Sequence, residues 1–158
     1  VLLLTGGLLG TQATAATGPF TELLGVYHEV RSALVQDNLT RAREHAREIE
    51  KRALELGKDA ALADESVPDG STQEWLGLVE EIGAAAAQLG SAEELETARE
   101  AFFALSKPMG RYRKLVADGS TIVAFCPMEK KAWLQPDGEF ENPYLGQEMP
   151  TCGQRIPD

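Results

Sequence analysis

Residues 71–105 read STQEWLGLVEEIGAAAAQLGSAEELETAREAFFAL, and this stretch decides the fold. Ser71 stands three residues ahead of Glu74, and Ser91 three ahead of Glu94. Each pair has the capping-box spacing that opens a helix. Leu76, Val79, Ile82, Ala86 and Leu89 then recur at three-and-four spacing, as do Leu95, Ala98, Phe102 and Leu105. Gly90 between the two runs is expected to break them apart. The pattern continues outward on both sides. Downstream, Tyr112, Leu115 and Val116 keep the helical spacing past Pro108, which is expected to kink or interrupt the helix, with Met109 as core filler beside it. Upstream, Leu39, Ala42, Ala46, Ile49, Ala53 and Leu56 form an apolar stripe that Asp37 or Asn38 can cap. Its opposite face, from Arg41 through Arg52, is a solvated surface of alternating charge. Pro19 suits a first helical turn, and Phe20, Leu23, Leu24, Tyr27, Val30 and Leu34 follow it at helical spacing. Residues 66–70 (SVPDG) are a turn. The expectation is a mainly α chain: an up-and-down four-helix bundle over residues 17–119.

The chain has 158 residues, enough to bury a core without disulfides, and a formal net charge of −10. That sign opposes binding to phosphate backbones and to anionic lipid. Nucleic acid is therefore not an expected partner. Residues 1–10, VLLLTGGLLG, are apolar and uncharged, and Ala13-Thr14-Ala15 follows in the A-x-A arrangement of a cleavage site. Residues 1–16 are expected to be a truncated signal peptide, which implies a periplasmic or otherwise extracytoplasmic protein. The apolar run is too short to span a bilayer, so an integral membrane protein is not expected after signal removal.

Residues 120–158 change character. Residues 121–125 (TIVAF) are β-prone, and the recurrent Pro and Gly that follow exclude a long helix. The segment is expected to be a strand or two with ordered loops packed on the bundle, held by Trp133, Phe140 and Tyr144. Both cysteines and two of the three methionines lie here, as Cys126-Pro127-Met128 and Met149-Pro150-Thr151-Cys152-Gly153. Thiolate and thioether sulfur are soft ligands that select Cu(I). In an extended segment Cys126 and Met128 would share one side. A turn at Met149 to Cys152 would pair the other two, making an S₄ cage. Two alternatives stand beside that reading. A Cys126–Cys152 disulfide suits an oxidising compartment, and Met149 can serve as gap-filling core. A Zn site would need Cys or His in CxxC-type spacing, which is absent.

The two histidines, His28 and His45, lie in helices far from this segment in sequence and are read as non-ligands. Trp133 can cover a bound cation or pin the loop. Asn142 ahead of Pro143 and Tyr144 is expected to form a turn by bonding to backbone and to orient the second half-site. No triad, phosphate loop or Glu-x-x-His pair is present, so no enzyme is expected.

Residues 27–37, residues 102–106 (FFALS), Cys126-Pro127-Met128, Trp133-Leu134, Asn142-Pro143-Tyr144-Leu145-Gly146, Met149 and Cys152-Gly153 resemble a bacterial family of exported domains of unknown function. Its members stand alone or extend the C-terminus of membrane-fusion subunits in copper and heavy-metal efflux pumps. The resemblance spans about residues 19–154; the ordered series CPM, WL, NPYxG and MxxCG is its specific part, the helices being generic. It implies a helical bundle with a heavy-metal segment in which Cys126, Met128, Met149 and Cys152 are the ligands, Cu(I) or another soft metal the cargo, and an efflux component the partner. Leu145 stands where the family often has Tyr. Glu129 and Lys130 stand where related chains place His, so imidazole ligation is not implied here.

Overall fold

Helix starts are set by residues that satisfy the first orphan N–H groups. Pro19, which lacks an N–H, opens α1 (Pro19–Val35). Asn38 opens α2 (Leu39–Leu56), its side-chain oxygen accepting from the Arg41 N–H at 3.1 Å. In the computed structural model, which describes residues 18–157, α3 (Thr72–Ser91) and α4 (Leu95–Leu115) complete the bundle. The expected signal segment lies outside the described residues. Three-residue links join α1 to α2 and α3 to α4, and consecutive helices pack together. Such short links force antiparallel neighbours, so the bundle is up-and-down. No helix among the described residues is long and apolar enough to cross a membrane.

Three local expectations need correction. Gly90 does not break the chain: α3 runs through it to Ser91, because a Cβ at Gly90 would sit 2.9 Å from Arg47 Cγ, and glycine there lets α2 approach. Neither serine closes its expected capping box: Ser71 stands at the start of α3 without a side-chain capping bond, and the Ser91 hydroxyl donates back to the Ala87 and Gln88 carbonyls, leaving Glu94 as the residue ahead of α4. Pro108 lies inside an uninterrupted α4 and is buried. The lost hydrogen bond is outweighed by the burial of Phe102, Leu105, Met109 and Tyr112 along the same helix.

Polar groups buried within the bundle are chained together. The Trp75 indole N–H donates to Tyr112 Oη at 2.7 Å, and the Tyr112 hydroxyl donates to Asp64 Oδ2 at 2.5 Å. The Phe20 N–H, in the first turn of α1, donates to the same oxygen at 2.8 Å. Asp64 thus caps α1 from the α2–α3 loop, where a carboxylate meets the positive end of the helix dipole. A Cβ on Gly18 would fall 1.9 Å from Asp64 Oδ1, which explains the glycine. At its other end α1 closes in a left-handed cap. The Asn38 and Asp37 N–H groups bond the Ala33 and Leu34 carbonyls, with Asp37 at φ 54°.

The C-terminal segment forms an antiparallel sheet in the order β2-β1-β3, from β1 (Ile122–Cys126), β2 (Lys131–Gln135) and β3 (Gln154–Ile156). β1 thus runs one residue past the expected strand, to include Cys126. Arg113 of α4, buried, donates to the Thr121 hydroxyl and carbonyl at 2.9 and 2.7 Å and ties β1 to the bundle. Two tyrosines meet the outer edge of β2. Tyr27 Oη accepts from the Leu134 N–H at 3.1 Å, and the Tyr144 hydroxyl donates to the Ala132 carbonyl at 2.6 Å. Ser106 donates to the Phe102 carbonyl, so Tyr27 donates in turn to Ser106 Oγ at 2.7 Å. Burial pushes the Tyr27 pKa up to about 12, which keeps that proton in place. Tyr27→Phe is expected to remove the acceptor for Leu134 and lower stability by about 1–2 kcal/mol. Amide exchange should accelerate at Leu134 well before it does in the helices.

His28 lies on α1, its Nδ1 buried without a hydrogen-bond partner among the described residues. Burial, and secondarily the Arg31 guanidinium, lower its pKa from 6.5 to about 4. Between those values the unfolded chain holds a proton that the folded chain does not. The stability this site contributes is therefore complete above pH 6.5 and lost as pH falls toward 4. Discounted for partial exposure, the loss is on the order of 1–2 kcal/mol. Urea unfolding between pH 7 and 4 should show that slope in the native chain and a shallower one in His28→Leu.

Candidate metal centre

Cys126 ends β1 opposite Lys131, and the chain reverses through a turn over residues 127–130 with Lys130 at φ 55°. That turn folds the Glu129 N–H onto Cys126 Sγ at 3.4 Å. Backbone donors of this kind also bond to ligating sulfur in metal sites. The Cys126 side chain is fully buried. Because residues 127–130 turn rather than extend, the expected same-side placement of Cys126 and Met128 does not apply; Met128 is 60% exposed on the turn. Lys131 is clamped by Glu100 at 2.5 Å and Glu129 at 3.0 Å. Burial alone would lower its pKa, but the two carboxylates together raise it, so a fixed positive charge sits across the ladder from Cys126.

The second half-site is held by Asn142, which is fully buried. Its side-chain oxygen accepts from the Tyr144 and Leu145 N–H groups at 2.8 and 3.1 Å. Its amide group donates to the Cys152 carbonyl at 2.6 Å, and its own N–H to the Pro150 carbonyl at 2.7 Å. One side chain therefore shapes the 142–145 turn and fastens the segment that carries Cys152, just ahead of β3. Met149 and Cys152 do form the expected turn, the Cys152 N–H bonding the Met149 carbonyl at 3.2 Å. The Asn142 turn docks on the bundle through Arg99, which donates to the Pro143 carbonyl at 3.0 Å and pairs with Asp37 at 2.5 Å. Gly146, at φ 53°, lies where a Cβ would strike both members of that ion pair.

The two half-sites bring the thiols together. Both cysteines are free, and Cys152 lies near enough to Cys126 for the two to interact electrostatically. Partial burial, and then the neighbouring Cys126, raise the Cys152 pKa. Met149 is 40% exposed beside the pair on the chain. Trp133 is buried, donates to Gln135 Oε1 at 2.9 Å, and meets Tyr144 edge-on at 5.9 Å. Gly153 passes directly over it, a Cβ there falling 3.1 Å from the indole and 2.9 Å from Phe140. Trp133 thus supports the Cys152 loop from beneath. Tyr144 packs in turn on Phe102 and Phe103 of α4. Among the described residues no three His, Cys, Asp or Glu side chains gather into a metal-ligating group.

The exposure difference between the thiols is testable. With iodoacetamide, Cys152 should be alkylated ahead of Cys126, slowly at pH 7 and faster as pH rises toward its raised pKa. Asn142→Ala, by freeing the Cys152 carbonyl, should speed labelling at Cys152 severalfold; peptide mass spectrometry reads both sites.

No curated protein and no solved structure matches this chain. One family, described as "Protein of unknown function (DUF3347)", matches residues 23–121, from α1 to the residue before β1. The match lies on the helices that sequence reading took as generic, and it ends before Cys126. It covers more than half of the chain, which belongs to this family of unknown function.

Proposed function

We propose that the chain binds one Cu(I), or a similar soft metal ion, at Cys126 and Cys152, with Met128 and Met149 as further ligands. In this reading it buffers the metal outside the cytoplasm or passes it to an efflux component. The observation that carries the proposal is the proximity of two free thiols, one of which accepts a backbone N–H at its sulfur. Two thiolates, with thioethers to complete the set, are the donors that soft monovalent copper prefers. The exposed methionines, unexplained as core, are supplied by segments that flank both cysteines. Binding expels thiol protons, and the raised Cys152 pKa means that affinity falls as pH falls.

The same proximity of the thiols favours a second reading: a metal-free helical interaction module stapled by a Cys126–Cys152 disulfide. The two are separated by anaerobic Cu(I) titration of the reduced protein against a competing chelator. The metal reading expects one ion per chain, binding at least about tenfold weaker in Met128→Leu/Met149→Leu, and loss of tight binding in Cys152→Ala. Failure to compete with the chelator, or binding indifferent to both methionines, overturns the sulfur site and leaves the disulfide module.

A further inference from the structure

Phe103, Lys107, Gly110, Arg111 and Lys114 follow one another at helical spacing and form a single stripe of α4. This stripe faces the side of the sheet that carries Val123, Leu134 and Ile156, which are paired across the three strands and so share one face. Between them runs a slot of about 260 Å³ with a largely apolar lining. Its cationic rim stands out on a chain of net charge −10.

Gly110 is the informative residue. A glycine inside a helix costs about 1 kcal/mol relative to alanine. It is commonly explained by a neighbour too close for a Cβ, as at Gly90 against Arg47. At Gly110 a Cβ would meet nothing within 4 Å. Packing does not demand the glycine; its missing side chain is part of the slot's open volume.

The occupant follows from size and charge. The volume lies just below the range of about 300–1,000 Å³ typical of small-molecule pockets, and a helix with its side chains is about 10–12 Å across. An unbranched alkyl chain fits; a docked helix does not. Arg111 is engaged by Glu81 of α3. Lys107 lies 4.3 Å over the Phe103 ring, and neither it nor Lys114 forms an ion pair among the described residues. Two ammonium groups, one turn to either side of Gly110, are thus available to an anionic headgroup. We propose that this slot binds a single-chain anionic amphiphile of the fatty carboxylate class, with the chain over Gly110 and the carboxylate at Lys107 or Lys114. The site is separate from the cysteine pair and does not depend on the metal reading.

The test is titration of the ¹⁵N-labelled chain with dodecanoate below its micellar range, beside dodecyltrimethylammonium and an acidic peptide. Saturable shifts clustered at Lys107, Gly110, Lys114, Val123 and Ile156 are expected. Binding should weaken at least about tenfold in Gly110→Phe, which fills the slot, and in Lys107→Glu/Lys114→Glu, which reverses the charge of the rim. The cationic amphiphile should bind at least about tenfold more weakly. The proposal is overturned by absence of saturable binding, by shifts scattered over the surface, or by equal binding of the cationic amphiphile. Indifference to the charge-reversed variant also overturns it, as does binding of the acidic peptide at these residues without binding of dodecanoate.

Discussion

The outer edge of β2 presents an N–H and a C=O that no strand reaches, and a buried edge left in that state would be costly. Tyr27 from the first helix takes the N–H, and Tyr144 from the loop takes the C=O. Tyr27 does more than cover a donor. Its own proton continues through Ser106 to the Phe102 carbonyl, so the ladder of the sheet is joined to the backbone of α4 by consecutive hydrogen bonds. The placement of β2 rests on this junction, beside the ties that Arg113 and Arg99 make elsewhere in the segment. β2 is the strand nearest the bundle, β1 is registered on β2, and Cys126 is the last residue of β1. An aromatic layer of Tyr27, Phe102, Tyr144 and Trp133 supplies the apolar area around the relay, its successive rings 4.8 to 6.0 Å apart.

A second buried chain works at another part of the bundle. Asp64 gathers the first turn of α1, Tyr112 of α4 and, through Tyr112, Trp75 of α3. Burial and the bond to Asp64 hold the Tyr112 pKa far above its usual value, so the donor role is permanent at any pH the fold survives. The two networks have the same design: a buried tyrosine hydroxyl accepts from one element and donates to another. Polar groups in these positions are satisfied as sets, which makes each one sensitive to loss of a single member.

Periodicity made the four helices legible, and Pro19 and Asn38 made two of their starts legible, because apolar spacing and local caps are written in neighbouring residues. Ser91 misled for a physical reason: a serine hydroxyl at a helix end can bond backward to the turn it closes as well as forward to the turn it opens. Gly90 misled because the constraint on it comes from Arg47, 43 positions away in sequence. The turn at Cys152 and the backbone role of Asn142 were readable from residue type. The Glu129 amide on Cys126, the clamp on Lys131 and the Asp64 network were not, since each joins segments through contacts that leave no spacing in the chain. The unequal burial of the two sulfurs came only from the fold.

Asp37 holds a left-handed conformation that glycine adopts without strain, and its carboxylate receives Arg99 and the Gln147 N–H from the loop ahead of Met149. Two opposing quantities meet in that residue. Relaxing the backbone would stabilise the α1–α2 corner, and deleting the carboxylate would release the loop that corner anchors. The free energy of unfolding sums the two and registers little, while the entropy of the loop registers one alone. Global stability and local order are therefore separate coordinates in this chain, and selection acting on the loop can leave no trace in the melting temperature.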